Sequence, residues 1–164
     1  MKQSNGISQE VNKKILGTKK VTYKDIKFKS KLESTCYKKL EEAAINTDYS
    51  FDFYYEPEKI ILWEGFKPSN IKIYAPNSSK YHVGNMSEQT KKTLNITYTP
   101  DFLVIKGDYR IYFDVKGMPN DTYPIKKKMF LKVLEQDTSN LKYIFMEPHN
   151  VKQINQSIDI IKNL

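Results

Sequence analysis

Arginine is almost missing from this chain: Arg110 is the only one among 27 basic residues. Planar, bidentate reading of a guanine edge is therefore open to at most one side chain, although lysine remains a good phosphate ligand. Cysteine is just as scarce. Cys36 stands alone, which excludes an intramolecular disulfide and a cysteine-rich zinc site and fits a reducing compartment. The two histidines, His82 and His149, are far apart in polar surroundings, so no HExxH or paired-histidine site forms locally, and both are expected at the surface. No apolar run approaches the ~20 residues of a membrane helix, and the first twenty residues hold no signal-peptide core. The expectation is a cytoplasmic protein without a membrane anchor.

What is present is enough chain for one domain with a real core: 164 residues, of which 39% are hydrophobic and 13% aromatic, too rich for a disordered segment. The 27 basic residues exceed the 19 acidic ones and leave a net charge of +8. Such a surface favours a polyanion, and nucleic acid is the first candidate. The competing reading is a solvated lysine face in a chain rich in Lys, Asn, Ile and Tyr.

Residues 1–24 read as a basic arm and 25–164 as a single domain with a loop insertion around 75–93. Phe28, Leu32, Cys36, Leu40 and Ala44 recur every four positions, predicting an amphipathic helix to about Asn46, with Ser30 and Glu33 as its capping box. Aromatic and β-branched residues from Phe51 to Phe66 and from Ile71 to Tyr74 predict strands, and Pro76 to Lys92 a long loop. Leu94–Ile105 and Arg110–Lys116 form a hairpin around Gly107-Asp108. Beyond it, Ile125, Met129, Phe130, Val133 and Leu134 predict a helix with Pro124 in its first turn. A strand from Leu141 to Met146 and a helix marked by Val151, Ile154, Ile158 and Ile161 close the chain. This order predicts an α/β (α+β) domain with a mixed sheet.

The hairpin carries the chemistry. Period-two alternation puts Ile111, Phe113 and Val115 on one face and Tyr112, Asp114 and Lys116 on the other. A turn centred on Gly107-Asp108 sets Asp101 opposite Asp114, and like charges so opposed destabilise a sheet. A divalent cation offsets that cost, because Mg²⁺ or Mn²⁺ prefers hard oxygen ligands and two carboxylates can share it with a phosphate. Lys116, beside them, then orients or deprotonates a water or stabilises charge on a scissile phosphate. Gly117 next to it is expected to allow close approach of a backbone. The alternative is a salt-bridged exposed pair with Asp101 as a turn acid.

Thr99-Pro100-Asp101-Phe102, with twelve positions between Asp101 and the later Asp114-Val115-Lys116-Gly117, resembles the PD-(D/E)xK nuclease superfamily. Phe28-x-Ser30-x-x-Glu33-x-x-x-Tyr37-x-x-Leu40 resembles the first core helix of small phage-encoded endonuclease-like proteins, and Asp121 to Phe130 resembles the segment C-terminal to their signature. The likeness runs from Phe28 to Met146, with Phe66 to Lys92 fitting poorly. It implies a restriction-endonuclease-like core with a central hairpin flanked by helices. It also implies Asp101 and Asp114 as metal ligands, Lys116 as the catalytic lysine, and Glu33 as a helix glutamate reaching toward the metal. Glu33 as a cap for Ser30 is the equal alternative, with Glu41, Glu42 and Glu56 in reserve.

The resulting expectation is a Mg²⁺-dependent DNA endonuclease, with Mn²⁺ as a substitute, encoded by a phage or mobile element and acting as a homodimer on branched DNA such as a four-way junction. A site-specific duplex endonuclease and a non-catalytic nucleic-acid-binding protein are the rivals. Lys126, Lys127, Lys128, Lys132, Arg110 and Tyr123 are the expected DNA contacts.

Overall fold

The computed structural model describes residues 20–45, 50–77, 84–117 and 121–164. The chain opens with a small hairpin, β1 (Val21–Tyr23) and β2 (Ile26–Phe28), followed by α1 (Lys31–Ala44). Then come β3 (Asp52–Tyr55), β4 (Ile60–Trp63), β5 (Ile73–Pro76), β6 (Met86–Gln89) and β7 (Ile96–Tyr98). The central hairpin is β8 (Phe102–Lys106) and β9 (Tyr109–Phe113), and the chain ends with α2 (Tyr123–Glu135), β10 (Lys142–Met146) and α3 (Val151–Lys162).

Four strands make the main sheet in the order β10-β9-β8-β3, with β10 parallel to β9 and the other neighbours antiparallel. The hairpin has the register its turn predicts: Lys106 faces Tyr109 and Phe102 faces Phe113. Gly107 makes the turn possible with a φ of +54°, a left-handed conformation that side chains resist. Because β9 and β10 run parallel, a crossover must join them, and α2 is that crossover.

Alternation then divides the core. Phe102, Val104, Ile111 and Phe113 point to one face, where Cys36 and Leu40 of α1 and Ile154, Ile158 and Ile161 of α3 bury them. Each such side chain contributes roughly 1.5–3 kcal/mol. On the other face Tyr112 meets the edge of Phe130 of α2, and Tyr98 and Leu62 bring the β4–β7 ribbon onto the same cluster. The result is a mixed α+β fold with a central hairpin flanked by helices. Among the described residues no helix is long and apolar enough to cross a membrane.

The helix starts follow their local signals. The Ser30 side chain accepts the Glu33 N–H at 3.1 Å, Pro124 occupies the first turn of α2, and Asn150 accepts the Gln153 N–H at 3.0 Å. Cys36 is buried and free, and its environment pushes the thiol pKa up through burial first.

Several expectations need correcting. Leu94–Ile105 is not one strand: Pro100, which has no N–H to give a ladder, lies in a break, and β7 on its far side pairs with β4 in a separate ribbon. The expected loop from Pro76 to Lys92 contains β6, which pairs with β5, while 78–83 lie outside the described residues, as does His82. Of the expected arm, 1–19 lie outside the described residues, and Val21–Tyr23 is a strand. Ile125, expected on the core face of its helix, is 64% exposed. A tight crossing occurs at Gly65, not Gly117. A Cβ on Gly65 would lie 2.3 Å from the Thr93 carbonyl oxygen, whereas nothing stands within 4 Å of one on Gly117.

Candidate active site

β9 ends at Phe113, but the chain stays extended beyond it. Asp114 donates its N–H to the Met146 carbonyl at 3.0 Å and Lys116 its N–H to Pro148 at 3.3 Å, so the parallel ladder to the β10 side continues through the Asp-Val-Lys segment. Val115 is thereby buried in the α1–α3 core, and Asp114 and Lys116 are turned to the other side. The alternation expected of the segment holds one turn of the pleat past the strand.

Asp101 comes from the break between β7 and β8. Its N–H donates to the Phe113 carbonyl at 2.9 Å, one residue out of the hairpin's register. Its carboxylate Oδ2 accepts the Val115 N–H at 2.7 Å. Its own carbonyl accepts the Glu56 N–H at 2.9 Å, and Glu56 is a non-glycine residue with a φ of +46°. Such a conformation costs of order 1–3 kcal/mol and persists only where neighbours enforce it. The first aspartate is therefore clamped to the backbone between the second aspartate and the lysine.

Asp114 is only 1% exposed. Its Oδ1 lies 2.6 Å from Lys116 Nζ, and its Oδ2 accepts a hydrogen bond from the Tyr98 hydroxyl. Burial and that bond push the Tyr98 hydroxyl pKa up. Burial works against the Lys116 charge, but Asp101 and the hydrogen-bonded Asp114 outweigh it and hold the ammonium above its ordinary value. Lys116 in this state is a cation rather than a base. Asp101 is pushed up to about 7, by burial first, with the charges of Asp114 and Glu33 adding to it against Lys116.

Glu33 is buried, and of the expected capping box only the Ser30 half is made, because the Glu33 carboxylate turns to Lys29 and Tyr55 rather than to the Ser30 N–H. Its N–H is capped by Ser30, while its Oε2 accepts the Lys29 N–H at 3.2 Å and the Tyr55 hydroxyl at 3.0 Å. Its charge reaches both Asp101 and Lys116. Of the reserve glutamates, Glu41 pairs with Lys24 and Tyr23, Glu42 with Lys39, and Glu56 with Lys29. Only Glu56 adjoins the aspartates, through its backbone.

The chemistry of the set suits a hard divalent cation: Asp101, Asp114 and Glu33 are all buried, the charges of the other two act on Asp101, and the donors are all oxygen. As they stand, no three His, Cys, Asp or Glu among the described residues converge on one metal-sized centre.

The expected DNA contacts divide. Tyr123 is buried beside the site, its ring 5.1 Å from Lys116 Nζ and its hydroxyl donating to Glu147 at 2.6 Å. Lys127 is ion-paired to Glu147, and Lys126 donates to the Thr97 carbonyl at 3.1 Å. Lys128 and Lys132 are exposed on α2 beside Trp63. Arg110 is not at the site: it donates to the carbonyls of Gly107 and Tyr109 at the turn end of the hairpin. His149, at the surface as expected, sits with Nδ1 2.9 Å from the Lys116 carbonyl.

Tyr98, Tyr55 and Glu147 could not be read from the sequence. The tyrosines join their carboxylates across 16 and 22 positions of sequence, and no local period links them. Glu147 had one faint signal, its place directly after the predicted strand Leu141–Met146.

The family model described as protein of unknown function (DUF1064) matches residues 13–147. No curated protein and no solved structure matches the chain.

Proposed function

This chain belongs to the DUF1064 family of proteins of unknown function, and from that premise we propose that it is a metal-dependent DNA endonuclease hydrolysing phosphodiester bonds, with branched DNA as its substrate. The single observation that carries the reading is the group of buried Asp101 and Asp114 with half-buried Lys116, tied together by the Val115 N–H and the Lys116 ion pair. It supports the resemblance to PD-(D/E)xK nucleases, with a restriction-endonuclease-like core around the hairpin.

Asp101 and Asp114 would hold Mg²⁺ or Mn²⁺, with Glu33 beside them. When bound, the cation supplies Lewis acidity toward a phosphodiester. The protein's own groups do the rest. The Val115 N–H orients Asp101, and the Tyr98 hydroxyl orients Asp114. Lys116, kept cationic by its neighbours, stabilises charge growing on the scissile phosphate. Lys128 and Lys132 neutralise phosphates along the DNA. A homodimer belongs to the same proposal, and the exposed Ile61, Trp63 and Ile96 of the β4–β7 ribbon offer an apolar surface for a second copy.

The test is incubation with supercoiled plasmid and with a four-way junction in Mg²⁺, Mn²⁺ or EDTA. Cleavage that needs the divalent cation supports the enzyme. Binding without cleavage in every condition supports the non-catalytic rival.

A further inference from the structure

Over β3, β8 and β9 lies an open cleft of about 630 Å³, within the range of small-molecule sites. Its floor is Leu103 on β8. Tyr54 of β3 and Tyr112 of β9 are the cross-strand partners of Leu103 on either side, so all three share one row and one face of the sheet. Two strands apart means about 9–10 Å, which leaves room for one planar ring between the tyrosines. Tyr112 is held by its edge contact with Phe130 and its stacking on Tyr143, and Tyr54 is half exposed. Glu58 lines it as well, as does Glu56, whose carboxylate is paired with Lys29.

The cleft is joined to the candidate active site. Glu56 donates its N–H to the Asp101 carbonyl, and Ile60, which lines the cleft, pairs with Tyr98, whose hydroxyl holds Asp114. Leu103 is two residues along the chain from Asp101, which lies in the break before β8, and so is at most ~7 Å away, comparable to the reach from a phosphate to the base of its own nucleotide. Aromatic walls give a π-face to stack on, which any base accepts. Carboxylate oxygens accept N–H donors, and exocyclic amino groups of cytosine and adenine offer them. A paired base is stacked within its duplex and cannot enter such a cleft, whereas an unpaired one can.

We propose that this cleft binds an unpaired nucleobase, preferring one with an exocyclic amino group, in the strand whose phosphate lies at Asp101 and Asp114. The inference rests on the endonuclease reading and names what that site's substrate must present: a displaced, bulged or junction nucleotide next to the scissile phosphate.

Binding of the full chain without divalent cation, followed by fluorescence anisotropy, tests it. The probes are one duplex fully paired, the same duplex with a single bulged cytosine, and the same with a bulged abasic residue. The expected result is a cytosine bulge bound about tenfold more tightly than both others, with that preference lost in Tyr54→Ala and reduced in Glu58→Gln. Equal affinity of the wild-type protein for the cytosine and abasic bulges overturns the proposal, and this arm needs no variant to fold. A preference that survives unchanged in both variants overturns it as well. Cleavage of a four-way junction in Mg²⁺ is scored in parallel. Cleavage without base preference removes the cleft and keeps the nuclease; base preference without cleavage removes the nuclease and keeps the cleft.

Discussion

Asp101 accepts the Val115 N–H through its carboxylate at 2.7 Å, so the first acid of the site holds the backbone that carries the second acid and the lysine. This relation separates two variants that charge alone would treat alike. In Asp101→Asn the amide oxygen still accepts the Val115 N–H, and a carboxylate facing Asp114 and Glu33 is gone. The variant should fold with unchanged or higher stability. Asp101→Ala leaves a buried N–H unpaired, and should lose about 1–3 kcal/mol in a denaturant titration. Equal stability of the two would contradict the clamp.

Asp114 behaves differently because its charge is compensated. Lys116 lies against Oδ1 and the Tyr98 hydroxyl donates to Oδ2. Breaking a buried pair on one side costs about 3–5 kcal/mol. Asp114→Asn should therefore be clearly less stable than Asp101→Asn by thermal melting, although the hairpin register alone suggests relief of repulsion in both. Tyr98→Phe keeps the ring against Phe130 but removes a donor from a buried carboxylate, and should lose about 1.5–3 kcal/mol.

The pH dependence stems from Asp101, which burial pushes up to about 7 from an ordinary value near ~3.9. Between those limits the folded chain keeps a proton that the unfolded chain has released. This group's contribution is thus complete at the acid end and falls away as pH rises toward 7. The melting temperature of metal-free wild-type protein, taken relative to Asp101→Asn, should drop from pH 4 to pH 7. A difference that is flat or rises over that interval would contradict the assignment.

Lys116 meets Asp114 with its ammonium and Tyr123 with its charge over the ring. Its removal should strike the rate rather than DNA affinity. In Lys116→Ala, which removes a cation from the developing phosphate charge, we expect turnover to fall by roughly 10²–10³-fold, with the DNA dissociation constant nearly unchanged. An unchanged kcat would take Lys116 out of the mechanism.

The basic helix should show a division of labour. Lys127 is neutralised by Glu147, whereas Lys128 and Lys132 are exposed. Lys128→Ala or Lys132→Ala should each reduce the log–log salt slope of duplex binding by about 0.9, and Lys127→Ala by less. Equal reductions for all three would contradict this.

The hairpin was legible because two signals agreed: alternation in Arg110–Lys116 and a turn at Gly107-Asp108 whose glycine takes the required positive φ. The core helix was legible through Cys36 and Leu40, which the structure buries completely. The β5–β6 pair was not, because Met86–Gln89 has no apolar alternation and packs no core. The site's acids and lysine were visible as a motif. Its supports, Tyr98 on Asp114 and Tyr55 on Glu33, arise only when the ribbon and the sheet edge fold onto it.

In the proposed reading Asp101 and Asp114 serve hydrolysis rather than folding or DNA binding alone. Single-turnover cleavage of a four-way junction, wild type against Asp101→Asn, with binding measured on the same samples, decides this. The expected result is cleavage by the wild type in Mg²⁺ and none in EDTA, and an Asp101→Asn protein that folds and binds the junction without cutting it. Junction cleavage by Asp101→Asn at the wild-type rate, or binding without cleavage by the wild type in both Mg²⁺ and Mn²⁺, would contradict it.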